Sequence, residues 1–151
     1  MVDLADDYEF EKLAHDMVLN RVKKEEALSN SCETAAQIVK ELVLIAITYT
    51  RVKQDPRFTL YKIFRGVMQA MFALGKDLPQ TMIRLLQEIP NLADQLGIDF
   101  SSLMTWAMEG TASLSESFGR ENCQKIRSNI EEKFMGAGDI FEKLCSQKKS
   151  P

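Results

Sequence analysis

Between Cys123 and Leu144, small and apolar residues recur at steps of three and four: Cys123, Ile126, Ile130, Phe134, Ala137, Phe141 and Leu144. Arg, Glu, Lys and Asp fill the spaces between them. This is the spacing of an amphipathic α-helix with one buried stripe, and it predicts a helix of about six turns beginning near Arg120. A stripe of that kind is stable only when another surface covers it, so the chain must pack helix on helix. Gly136 and Gly138 fall inside the stripe. Each weakens a helix by about 1 kcal/mol relative to Ala, which marks this as the place for a kink.

The rest of the chain follows the same spacing. A first helix is expected from Leu4 to Leu28, with Asp3 as N-cap. It carries two stripes: Leu4, Tyr8, His15, Val18, Leu19 and Val22, and then Phe10, Leu13, Ala14 and Met17. Ser29, Asn30 and Ser31 interrupt the pattern, and Asn30 with Glu33 resembles a capping box for a second helix over 32–53. The centre of that second helix, Leu42 to Thr50, is apolar all round, which predicts a central place in the fold. Its β-branched content would suit a strand, but no other segment offers an edge to pair with.

Pro56 ends the second helix, because the residue before a proline is turned away from helix. A third helix is expected over 57–74, with Gly75 beyond its end. Asp77 should cap a helix from Leu78 to Ile89 that Pro90 stops, and Asn91 to Leu96 should add a short turn ending at Gly97. Asp99 is the cap of the next helix, whose stripe is Leu103, Trp106, Ala107, Gly110, Leu114 and Phe118. Residues 110–119 are rich in Gly and Ser and have poor helix propensity, so a break near Gly110 is an open alternative.

The expected fold is therefore all-α. It is a single-domain bundle of five to seven helices over 1–146 with a polar tail at 147–151. Helix 32–53 should be central, wrapped by the helices at 4–28, 57–74, 99–119 and 120–146. With 151 residues and 45% hydrophobic side chains, the chain is large and apolar enough to bury such a core.

The functional reading is mostly one of exclusion. A net charge of −3 argues against a general nucleic-acid binder. Three cysteines without a C-x-x-C pair argue against a zinc site or a disulfide framework and suit reduced thiols in a cytoplasm. The acidic start, Met-Val-Asp-Leu-Ala-Asp-Asp, is unlike a signal peptide, and the apolar run Leu42 to Thr50 is less than half the ~20 residues a membrane span needs. No metal site, cofactor or small-molecule substrate is expected. The single histidine, His15, is a candidate phosphoacceptor of the kind found mid-helix in phosphotransfer bundles, with Lys12 one turn earlier to favour an anion. Arg51, Lys53, Arg57, Lys62 and Arg65 form a basic cluster with Phe58 and Tyr61 interleaved, a candidate patch for an acidic partner or nucleic acid.

Eight methionines suggest adaptable packing surface. Met-Gly-Ala-Gly-Asp at 135–139 lacks the third glycine and the preceding strand of a dinucleotide motif. The first and last helices carry more apolar surface than a small bundle requires, and Phe10, Leu13, Met17, Phe141 and Leu144 are the candidate interaction residues. The expected function is a non-catalytic, regulatory helical module that binds another protein or itself as a homodimer. Phosphotransfer through His15, or an accessory role at an acidic partner or nucleic acid, are the alternatives.

Overall fold

The computed structural model describes residues 9–23, 28–49 and 55–148. Among them every regular element is helical. In chain order these are α1 (Phe10–Val22), α2 (Leu28–Leu44), which runs on into a π-helical turn (Ile45–Tyr49), α3 (Pro56–Ala73), α4 (Leu78–Leu86), α5 (Ile89–Leu96), α6 (Phe100–Ala112), the single-turn α7 (Ser115–Phe118), α8 (Arg120–Lys133) and α9 (Ala137–Lys148). The all-helical expectation holds, and the 43–52 stretch is helical as far as Tyr49. The expected cap Asp3, the start of the first helix at Leu4, and 149–151 of the expected 147–151 tail lie outside the described residues, while 147 and 148 belong to α9. No helix among the described residues is long and apolar enough to cross a membrane.

Local chemistry sets several helix starts. Asp55, Asp77 and Asp99 each accept a backbone N–H three residues on, from Phe58, Gln80 and Ser102 at 3.3, 3.0 and 3.0 Å. Each such cap contributes about 1 kcal/mol. Pro56 and Pro79 sit in first turns, where no N–H is needed.

The structure divides the chain more finely than the sequence suggested. Pro90 does not stop a helix. It lies in the first turn of α5, where a missing N–H costs nothing, and the break falls before it, at Gln87 and Glu88. Asn30 is not a cap either: α2 already begins at Leu28, and Ser31 is fully buried within it. Beyond Ala112 the chain turns at Ser113 and Leu114 before the single turn α7, three to four residues past the expected weak point at Gly110.

The longest expected helix, 120–146, is two helices. α8 ends at Lys133, Phe134 leaves helical geometry at φ −135° and ψ 86°, and Gly136 takes φ +89°. A side chain at Gly136 would be strained in that conformation, which explains the glycine. α9 then folds back along α8, where Arg127 pairs with Asp139 at 2.7 Å and with Glu142.

The central position belongs to α3, between α1 and α6. Two glycines bring the three helices together. A Cβ on Gly66 would lie 2.2 Å from the Glu11 carbonyl oxygen, and one on Gly110 would lie 2.4 Å from the Tyr61 carbonyl oxygen. Both seams are therefore backbone against backbone. α2 packs on α1, α3 and α4. Its apolar centre is not wrapped all round: Leu42, Val43 and Ala46 are buried, Leu44 and Ile47 are half-buried, and Ile45 is exposed. One apolar core joins all of this, from Phe10, Ala14, Val18 and Val22 on α1, through Leu60, Ile63, Phe64, Val67 and Met71 on α3, to Ile126, Ile130 and Phe141 in the C-terminal hairpin.

Candidate interaction groove

Six large apolar side chains are exposed among the described residues: Ile45, Phe58, Phe72, Phe100, Met135 and Ile140. Isolated exposed apolar residues are ordinary, but gathered ones are not. Phe100, Met135 and Ile140 gather about one groove of about 380 Å³ between α6 and the α8–α9 turn.

The α6 wall is built by helical spacing. Phe100, Ser101, Met104, Thr105 and Met108 share one face of the helix that Asp99 caps. Met104 and Met108 form a buried floor. The other wall is the hairpin turn, where Phe134 and Ala137 pack inward and Met135 projects outward at 95% exposure. The turn is held by Glu131, whose two carboxylate oxygens accept the backbone N–H groups of Gly136 and Gly138 at 2.9 and 3.0 Å. A side-chain anchor from α8 thus fixes the start of α9 and sets Met135 and Ile140 at the lip of the groove. Among the described residues, no charged side chain lines it.

The five residues expected to form an apolar interaction surface lie elsewhere. Phe10 and Phe141 are in the core at 3% and 1% exposure, and Leu13, Met17 and Leu144 are half-buried against it. Their stripes face the protein's own core, because α1 covers α3 and the hairpin folds back on the bundle.

His15 is half-buried on α1, with Nδ1 3.5 Å from Asp16 Oδ1. It shares a shallow depression with Lys12, Gln69, Glu9 and Glu11. Lys12 turns to Asp16 at 3.1 Å, and this hydrogen bond holds the Asp16 carboxyl below its ordinary range. The anion-favouring cation expected beside His15 is thus committed to a neighbouring acid, and two further carboxylates line the depression.

Within the basic cluster, Arg51 and Lys53 lie outside the described residues. The other three bases meet carboxylates. Arg57 makes a two-pronged contact with Glu109 on α6 at 3.0 and 2.6 Å, which pushes the arginine pKa up. Arg65 reaches Glu11 on α1 at 3.1 Å and the Ser113 hydroxyl at 2.6 Å. Lys62 lies 3.9 Å from Glu9 and 4.9 Å from the centre of the Phe58 ring. These cations fasten the α1–α3 and α3–α6 seams.

A comparable clasp joins α2 to α4. Arg84 holds Glu33 at 2.6 Å and Glu88 at 2.7 Å; the Glu33 bond, helped by Glu88, pushes the arginine pKa up against the effect of burial. Cys32 is buried beside the Thr81 hydroxyl at 3.6 Å, and burial pushes its thiol up. Among the described residues, no three His, Cys, Asp or Glu side chains are grouped to hold a metal ion.

Sequence reasoning missed Phe100, Met135 and Ile140. One signal was available: Met135 falls off the stripe of the expected helix, and an apolar residue there is either exposed or in a turn. Here it is both. In comparison with known proteins, the chain matches no family model, no curated protein and no solved structure.

Proposed function

We propose that the protein is a non-catalytic helical interaction module that seats an amphipathic helix of a partner protein in the groove between α6 and the α8–α9 turn. The observation that carries this reading is the gathering of Phe100, Met135 and Ile140 around a floor of Met104 and Met108, with no charged lining among the described residues. A helix docks in such a groove through apolar residues at i, i+4 and i+7. From Phe100 to Met108 the wall runs about 12 Å at 1.5 Å per residue, the length of that triplet. Methionine suits the role, since its unbranched side chain re-packs around different shapes. Asp99 adjoins the lining in sequence and favours a helix with a basic flank. Three cysteines without a C-x-x-C pair suit a module of the cytoplasm, a reducing compartment.

The other readings draw less support. Phosphotransfer through His15 would bring a dianion beside Glu9, Glu11 and Asp16. An anion patch at 57–65 would first have to displace Glu109 and Glu11.

The test is a titration of the isotope-labelled chain with a helical peptide bearing Leu at i, i+4 and i+7 and Lys on the opposite face. Amide shifts confined to 100–108 and 134–140 are expected, with affinity falling at least tenfold in Met135→Glu and Ile140→Glu. A charge on a nearly fully exposed residue such as Met135 leaves stability within about 0.5 kcal/mol, so lost binding cannot be blamed on lost folding. Shifts centred elsewhere would refute the groove. Light scattering at twice the 17.2 kDa chain mass, abolished by the same substitutions, would make the occupant a second copy instead.

A further inference from the structure

A larger cleft, about 700 Å³, runs between α8 and α9 and is closed at one end by α7. It shares no residue with the groove described above. Two of the protein's three cysteines, Cys123 on α8 and Cys145 on α9, line it. Both are thiols, half-buried, and packed on the edge of the core. The third, Cys32, is buried against Thr81 in a different part of the fold.

The register of the hairpin brings the two thiols to the same level. Glu131 meets Gly138 through the backbone N–H, and Arg127 meets Glu142. These two contacts are rungs of an antiparallel ladder, four residues apart on each arm. One more step of four leads to 123 on α8 and 146 on α9, a register that pairs Cys123 with the 145–146 level of the cleft both cysteines line. Close packing of the arms is set by Gly138, where a Cβ would lie 2.9 Å from the Arg127 carbonyl oxygen. Cys123 also approaches the Ser115 carbonyl at 3.5 Å, which holds its sulfur at the cleft wall.

We propose that Cys123 and Cys145 are a reversible dithiol–disulfide pair that staples α9 to α8. The co-reactant is a low-molecular-weight disulfide admitted by the cleft. One cysteine, as its thiolate, attacks a sulfur of that disulfide. A mixed disulfide forms and one small thiolate leaves. The second cysteine thiolate then attacks the protein sulfur of the mixed disulfide and expels the other small thiolate. The protein loses two electrons and two protons; the small disulfide gains both and becomes two thiols. Small dithiols or an excess of monothiol reverse the sequence. The staple closes the loop from 123 to 145 and so constrains the unfolded chain.

The experiment exposes the full chain to oxidised glutathione, then combines thiol titration under denaturing conditions, intact mass and peptide mapping. The accessible thiol count is expected to fall from three to one, with no glutathione retained, a monomeric product, and a crosslinked peptide joining 123 to 145. The thermal midpoint should rise on oxidation and return on reduction. In Cys145→Ser, Cys123 should stop at the mixed disulfide, and the midpoint should no longer rise. A glutathione adduct that persists on the natural chain, a disulfide-linked dimer, a crosslink to Cys32, or three unchanged thiols would each overturn the proposal. The peptide map of the natural chain decides the matter even if a serine variant folds poorly.

Discussion

The α1–α3–α6 layer and the α8–α9 hairpin reach a folded state by different means. In the first, helices meet backbone to backbone across Gly66 and Gly110, and α3 alone buries nine residues. In the second, α8 buries only Ile126 and Ile130, and Ala137 and Phe141 are the apolar anchors buried on α9. The hairpin relies instead on polar contacts: Glu131 to two backbone N–H groups, and Arg127 to two acids. The contrast teaches that rigidity is concentrated around α3. The hairpin, lightly anchored, carries the exposed Met135 and Ile140 and two of the three thiols. The groove proposed for recognition thus lies on the part of the molecule with fewer buried apolar contacts.

The sharpest challenge to this contrast is a matched pair of truncations. Phe64 and Phe141 are both essentially fully buried. Phe64→Ala should cost about 5 kcal/mol, because the close-packed layer around it cannot collapse into the cavity, and Phe141→Ala about 3 kcal/mol, because the hairpin can. Urea midpoints measure both. Hydrogen exchange should show protection lost first in α9 for Phe141→Ala and everywhere for Phe64→Ala. Equal costs with uniform loss of protection would erase the distinction.

A gentler comparison adds one methyl group to each region. Gly66→Ala drives a Cβ into a backbone oxygen and should destabilise by about 2–3 kcal/mol despite the better helix propensity of Ala. At Gly138 a Cβ would meet the Glu131 Cβ and carboxylate at 2.7 and 2.8 Å and the Arg127 carbonyl oxygen at 2.9 Å, each a milder overlap than the 2.2 Å at Gly66. Gly138→Ala should therefore cost about 1 kcal/mol. Thermal melts of the two variants would sharpen the contrast, and the reverse order would break it.

The smallest expected effect concerns the polar clasp between α2 and α4. The hydrogen bond from Arg84 holds Glu33 below the ordinary glutamate range. A depressed carboxyl pKa means that the folded state binds its proton less readily than the unfolded chain. The contribution is therefore complete above about pH 4.3 and is lost as pH falls below it through the depressed value. Glu33 is 54% exposed, so solvent screening keeps this contribution under about 1 kcal/mol. Stability measured across that acid window should fall less steeply in Glu33→Gln than in the natural chain. An unchanged slope would show that the clasp is worth nothing.

Much of this architecture is legible in the sequence, and the failures have physical reasons. Asp77 and Asp99 declare themselves as caps because each precedes an apolar stripe, and Gly97 ends α5 as a left-handed residue at φ +65°. The hairpin was hidden because its turn preserves the phase of the stripe. Ile130, Phe134, Ala137 and Phe141 keep steps of four and three across the turn, since both arms face the same core. Periodicity registers which side is buried, not whether the axis reverses. The same blindness made Phe10 and Phe141 look like spare surface. Conversely, α3 owes its central place to glycines, which carry no hydrophobic signal, while the oilier run of α2 leaves Ile45 in solvent. The groove was beyond reach because it depends on which helix α9 folds back upon.

The clasp of Glu131 on the first amides of α9 has one more implication. A single carboxylate grips two successive positions of the returning arm. Sliding that arm by one turn would strand both amides and eject the glycine that lets the arms touch. The hairpin thus behaves like a latch with one notch: it closes in a single alignment, and everything carried on its outer arm is held at the same address.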